Sequence, residues 1–162
     1  MNDQPEPISQ AEKRARIRRI TEIADGLAFT GDVEYRHVYN RSGGAQYGIG
    51  PSADNDIMVV FAEAFERDAD PDDFRLEALI AHECGHQRLH RDSKLRPVLA
   101  KFPGEEFEEI LASLVGSILL GATDSSQTLV WKALAELTDL GVTLEYAQDL
   151  VERLRDILRK LL

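Results

Sequence analysis

The stretch Leu79-Ile80-Ala81-His82-Glu83-Cys84-Gly85-His86 sets two imidazoles four residues apart, with a glutamate directly after the first. On a helix, residues four apart lie one turn apart on the same face, so His82 and His86 can hold one ion between them. Glu83 then stands beside the ion rather than on it, placed to take a proton from a water that the ion has acidified. The neighbours are apolar, and a buried helix would ordinarily carry Leu or Val at such positions. Two histidines and a glutamate there fit the zinc-peptidase pattern. Cys84 is two positions from His82, points away from the ion on a helix, and reads as a buried structural thiol.

A catalytic zinc takes three protein ligands and a water, so a third ligand is required. His90 continues the series of steps of four, but it lies ~12 Å along the helix axis from His82, too far for the same ion. Asp92 stands at the third-ligand spacing of the His-Glu-x-x-His-x-x-Gly-x-x-His class, yet Leu89 occupies the place where that geometry needs a glycine to turn the chain. The remaining candidates are Glu105, Glu106, Glu108 and Glu109, clustered at the start of the following helix. Carboxylates there also suit the helix dipole without any ion. Glu108 and Glu109 are about 100° apart around that helix, and both stay open on these grounds.

The elements that must position these groups are legible from pattern. Ser9 caps a helix over 11–27, and residues 33–39 alternate as a half-buried strand. Arg41-Ser42-Gly43-Gly44 is a turn, 45–49 can return as a second strand, and 56–61 (Asp-Ile-Met-Val-Val-Phe) reads as a third, more buried one. Asp70-Pro71-Asp72-Asp73 is a helix start, with a capping acceptor, proline at the first helical position and carboxylates facing the dipole. That helix runs to about His90. Pro103-Gly104 separates it from a helix over 105–120, Asp124-Ser125-Ser126 breaks the chain again, and helices over 127–140 and 144–161 follow. In the last, Leu144, Ala147, Val151, Leu154, Ile157, Leu158 and Leu161 form one apolar stripe, either packed on the domain's own core or offered to a second copy. Strands followed by helices predict an α+β fold.

Composition bounds the rest. The chain has 162 residues, 43% of them hydrophobic, enough for one packed core. Its 29 acidic against 19 basic residues give a formal charge of −10, which argues against direct nucleic-acid or anionic-membrane partners. The single cysteine fits a reducing compartment. Residues 1–7 lack the basic and apolar runs of a secretory signal, and the most apolar stretch, 110–122, is too short to span a bilayer. A soluble, cytoplasmic protein is expected.

Ala81-His82-Glu83-Cys84-Gly85-His86, with Leu89-His90 after it, resembles the Ala-His-Glu-x-Gly-His-x-x-Leu-His stretch of ImmA/IrrE-type zinc peptidases. These include phage and mobile-element proteins that cleave repressors. In that family a later helix reads Glu-x-x-Ala-Asn/Asp-x-x-Ala-x-x-Leu-Leu, and its first glutamate is the third zinc ligand. Here Glu109, Ala112, Ser113, Gly116 and Leu119-Leu120 match that register, with Ser113 where Asn or Asp often orients a zinc-bound histidine. The small residues at 112, 113 and 116 would let this helix approach the histidine helix closely.

The resemblance spans about 56–120. It implies Zn2+ on His82, His86 and Glu109, with Glu83 as general base in peptide-bond hydrolysis of a protein or peptide substrate, such as a regulatory protein. It further implies a zincin-like α+β domain over 9–124 with a small antiparallel or mixed sheet, preceded by a flexible arm (1–8). A helical C-terminal extension over 125–162 packs on the same domain. An edge strand borders the cleft in such peptidases, and Tyr35, Tyr39, Tyr47 and His37 fall in the strand region, where a Tyr or His can stabilise the oxyanion. The alternative function is a non-catalytic zinc-binding regulatory module that docks a partner through its C-terminal helices.

Overall fold

The computed structural model of the chain describes residues 8–40, 43–66 and 73–162. The expected N-terminal arm except Ile8, the first half of the 41–44 turn, and Asp70-Pro71-Asp72 of the predicted helix start lie outside the described residues.

The chain opens with α1 (Gln10–Gly26), whose first turn is closed by Ser9 accepting from the Glu12 backbone N–H at 3.1 Å. Three strands follow: β1 (Asp32–Arg36), β2 (Ala45–Gly48) and β3 (Ile57–Phe61). Their spatial order is β1-β3-β2, with β3 parallel to β1 and antiparallel to β2. The central place goes to the most apolar strand, Ile-Met-Val-Val-Phe, because only a strand covered on both edges and at least one face can hide that run. Met58 and Val60 are fully buried. β2 is therefore an edge strand, and its outer side is free of β pairing among the described residues.

The remainder is helical: α2 (Ala62–Phe65), α3 (Asp73–Arg91), α4 (Arg96–Lys101), α5 (Glu105–Leu120), α6 (Asp124–Asp139) and α7 (Leu144–Leu161). The fold is α+β with a small mixed sheet. No described helix is long and apolar enough to cross a membrane. The pattern reading missed α2 and α4, both too short to show a helical period. It also placed the start of α6 three residues late. Asp124-Ser125-Ser126 does not break the chain but forms the first turn of α6, capped by Thr123 accepting from the Ser126 N–H at 3.1 Å. Both serines are buried, with the Ser126 hydroxyl donating to the Ser117 carbonyl at 2.7 Å.

α3 lies between two apolar cores. One side carries Leu76, Ile80 and Cys84 against Ile20, Met58, Val60 and Phe65 from α1, the sheet and α2. The other faces α5, which with α4, α6 and α7 builds a helical core around Ile110, Leu111, Leu114, Leu137 and Leu154. The α7 stripe is spent largely inside this core: Ala147, Val151, Leu154 and Leu158 are buried, while Leu144 and Ile157 remain exposed.

The second half of α3 is tied to the sheet by Asp56, just before β3. This fully buried carboxylate accepts from the Tyr47 hydroxyl (2.7 Å), the Gly50 N–H (2.8 Å), the Gln87 amide (2.9 Å) and Arg91 Nη2 (2.7 Å). Burial alone would raise its pKa, but these donors hold it well below the usual carboxylate range. The network fixes both the pitch of α3 and the place of Tyr47.

Candidate metal centre

His82 and His86 project from α3 toward the N-terminal half of α5, and both are buried, at 3% and 7% exposure. Their Nε2 atoms are 3.2 Å apart. Glu109 reaches both rings from α5: its Oε2 lies 2.7 Å from His82 Nε2 and its Oε1 lies 3.2 Å from His86 Nε2. One donor atom from each of these three residues falls within 4.8 Å of the other two, so the group can hold a metal ion.

The opposite ring nitrogens are engaged as well. His82 Nδ1 is 2.9 Å from the Ser113 hydroxyl, and His86 Nδ1 is 2.7 Å from Glu108 Oε2. A carboxylate can only accept, so His86 Nδ1 carries a proton and its Nε2 lone pair is the one available to an ion. Ser113 thus stands where it can orient His82, and Glu108 orients His86 rather than joining the cluster. The other oxygen of Glu108 is 3.0 Å from His90 Nε2. Tyr47 stacks over His86 and His90, with ring centroids 6.3 Å and 6.0 Å away.

Electrostatics divide the two central histidines. Burial pushes His82 down to about 4, against the pull of Glu109. Burial works the same way on His86, but the hydrogen bonds to Glu108 and Glu109 outweigh it and raise His86 to about 9. Hydrogen bonds from the two histidines in turn hold Glu109 below the ordinary carboxylate range.

Glu83 is 5% exposed and lines the same cleft without ligand geometry. Burial raises it to about 7, with the neighbouring His86 charge the main effect opposing the rise. A carboxylate poised near neutrality can both accept and return a proton. The cleft has a volume of about 560 Å3, with Ala45, Gln46 and Tyr47 of β2 along one side and Glu105, Glu108 and Lys132 among its other lining residues.

The other sequence candidates fall elsewhere. His90 meets the centre through Glu108 and through the ring of Tyr47, and is not part of the ligand group. Asp92 caps a turn by accepting from the Lys94 N–H at 2.8 Å and is not part of the ligand group. Cys84 is buried in the sheet-side core, and burial pushes its thiol up to about 12. Tyr35, Tyr39 and His37 do not line the cleft. Sequence reasoning missed Lys132, and nothing in its neighbourhood separates it from an ordinary helix-surface lysine. It also did not anticipate that Glu108 would serve His86, although the adjacent carboxylates were the signal for a division of labour.

No protein-family model, curated protein or solved structure matches the chain.

Proposed function

We propose that the chain is a zinc-dependent peptidase with a zincin-like fold, as its resemblance to ImmA/IrrE-type peptidases implies. The observation that carries this reading is the convergence of His82, His86 and Glu109 beside a buried, non-ligating Glu83 in one cleft. Donors at ~2.0–2.1 Å from a tetrahedral zinc ion lie about 3.3 Å from one another. The 3.2 Å between the two Nε2 atoms suits that spacing, and two imidazoles with one carboxylate suit that ion.

A bound zinc ion supplies Lewis-acid polarisation of a carbonyl and acidification of water. Everything else belongs to the chain. Glu83 accepts the proton of the attacking water and returns it to the leaving amine. Ser113 and Glu108 keep the two imidazoles turned so that Nε2 faces inward. The unpaired side of β2 offers main-chain groups to an extended peptide, which suits a protein or peptide substrate over a compact small molecule. A cytoplasmic setting agrees with the single buried thiol.

The test separates binding from chemistry. Glu83→Gln preserves shape but removes the base, so the variant should retain about one zinc per chain while cleavage of a diverse peptide library, read by mass spectrometry, falls by roughly two or more orders of magnitude. Loss of zinc from that variant would make Glu83 a ligand and overturn the assignment. Zinc retention by a parent chain that cleaves nothing would favour the non-catalytic alternative.

A further inference from the structure

Addition of water to a peptide carbonyl moves the C=O π pair onto oxygen, and a preorganised donor aimed at that oxygen contributes strongly to the rate. The tyrosines and histidine of the strand region are not free to serve. The Tyr35 hydroxyl is 2.6 Å from Thr21 Oγ1 and donates to the Ile17 carbonyl, away from the cleft. Tyr47 borders the cleft, but its hydroxyl donates to Asp56 at 2.7 Å and its ring is committed to the two histidines. His37 is bound to Glu66 outside the cleft.

Among the described residues that line the cleft, one carries a permanently positive side chain: Lys132, from the third turn of α6. It is exposed and forms no ion pair or hydrogen bond among the described residues. It shares the lining of that one cleft with His82, Glu83, His86 and Glu109. The other charged groups lining the cleft are histidines and glutamates, including Glu105 and Glu108, none of which can supply a fixed cation.

We propose that Lys132 is the oxyanion-binding catalytic residue, a role that rests on the reading of the site as a peptidase centre. As water oxygen bonds to the carbonyl carbon, the Lys132 ammonium donates a hydrogen bond to the carbonyl oxygen that is gaining charge, and keeps its own proton. Glu83 holds the proton lost by water. When the C–N bond breaks and the C=O bond re-forms, that proton passes to the amine. The helix that follows the metal-binding helices then supplies a reacting group to the site as well as packing against them.

The experiment uses the full chain loaded with cobalt(II), whose visible spectrum reports ligands at the metal. The probe is a phosphinic pseudodipeptide of alanine, a tetrahedral anion that mimics the charged addition state, with acetate titrated in parallel as a planar anion. Lys132→Met should bind cobalt as the parent does, because the side chain is exposed and methionine suits a helix. Its affinity for the phosphinate should fall roughly tenfold or more, with a smaller loss for acetate, and Lys132→Arg should restore most of it. Unchanged phosphinate affinity in Lys132→Met, or an equal loss for both anions, would overturn the role of Lys132 and leave the peptidase reading standing. A parent chain that takes up no cobalt, or whose cobalt spectrum ignores the phosphinate, would overturn both.

Discussion

Glu108 and Glu109 are consecutive in sequence, yet the helix turns them about 100° apart and the site uses them differently. Glu109 meets both inward-facing Nε2 atoms, whereas Glu108 accepts from the outward-facing Nδ1 of His86. Their removal should therefore differ in degree. Glu109→Ala deletes a donor to the ion and should lower zinc affinity by more than about a hundredfold. Glu108→Ala deletes the support of one imidazole and should cost ~10–100-fold. Asp92→Ala, remote from the cluster, should leave affinity unchanged. Competition against a chromophoric chelator at neutral pH orders the three. A larger loss for Glu108→Ala than for Glu109→Ala would reverse the roles.

At the scale of elements, the site depends on how closely α3 and α5 approach. A Cβ on Gly85 would lie 2.1 Å from the Ala112 carbonyl oxygen, and one on Gly116 would lie 2.7 Å from that of Ala81. Each helix thus presses a glycine onto the other's backbone, which cannot yield as a flexible side chain would. This contact sets Glu109, one turn before Ser113, against the histidine pair. Gly85→Ala must push the helices apart, at a cost of about 1–3 kcal/mol in stability. Because Glu109 moves with α5, zinc affinity should fall with it. Gly26→Ala, where nothing lies within 4 Å, is the matched control and should be near neutral. Thermal melts followed by circular dichroism, with and without zinc, check both expectations. A Gly85→Ala protein with parental stability and affinity would show that the contact is looser than described.

Across the whole molecule, α3 is held from two sides. The sheet-side core and the Asp56 network fix it against β3, and the helical core fixes it against α5. That second core draws Val130, Ala133 and Leu137 from α6, and Ala147, Val151, Leu154 and Leu158 from α7. α5 itself is buried almost all round over its middle turns, from Ile110 to Ser117, which requires covering elements on every side. A chain ending after Ala122 would expose that surface. It should lose cooperative unfolding in urea and bind zinc at least ~100-fold more weakly than the full chain, since Glu109 would no longer be held in place. A truncated chain that unfolds in one sharp transition and retains its zinc would show that α6 and α7 are accessory.

The sequence alone placed His82 and His86 on one helical face, set Glu83 beside them, and marked the extents of α5 and α7 closely. These are local properties: a period of 3.6 residues, a glycine stop and a capping side chain act within one or two turns of chain. Tertiary structure decided what depends on distant segments. The order β1-β3-β2 follows from which strand most needs cover, a comparison that no single strand contains. The choice between Glu108 and Glu109 follows from the rotation of α5 about its axis, set where Gly85 and Gly116 let two backbones touch. Short α2 and α4 escaped notice because neither completes enough turns to show a period. Lys132 was invisible for a related reason: its neighbours in sequence are those of a surface helix, and only packing of α6 on α3 and α5 carries its ammonium to the cleft.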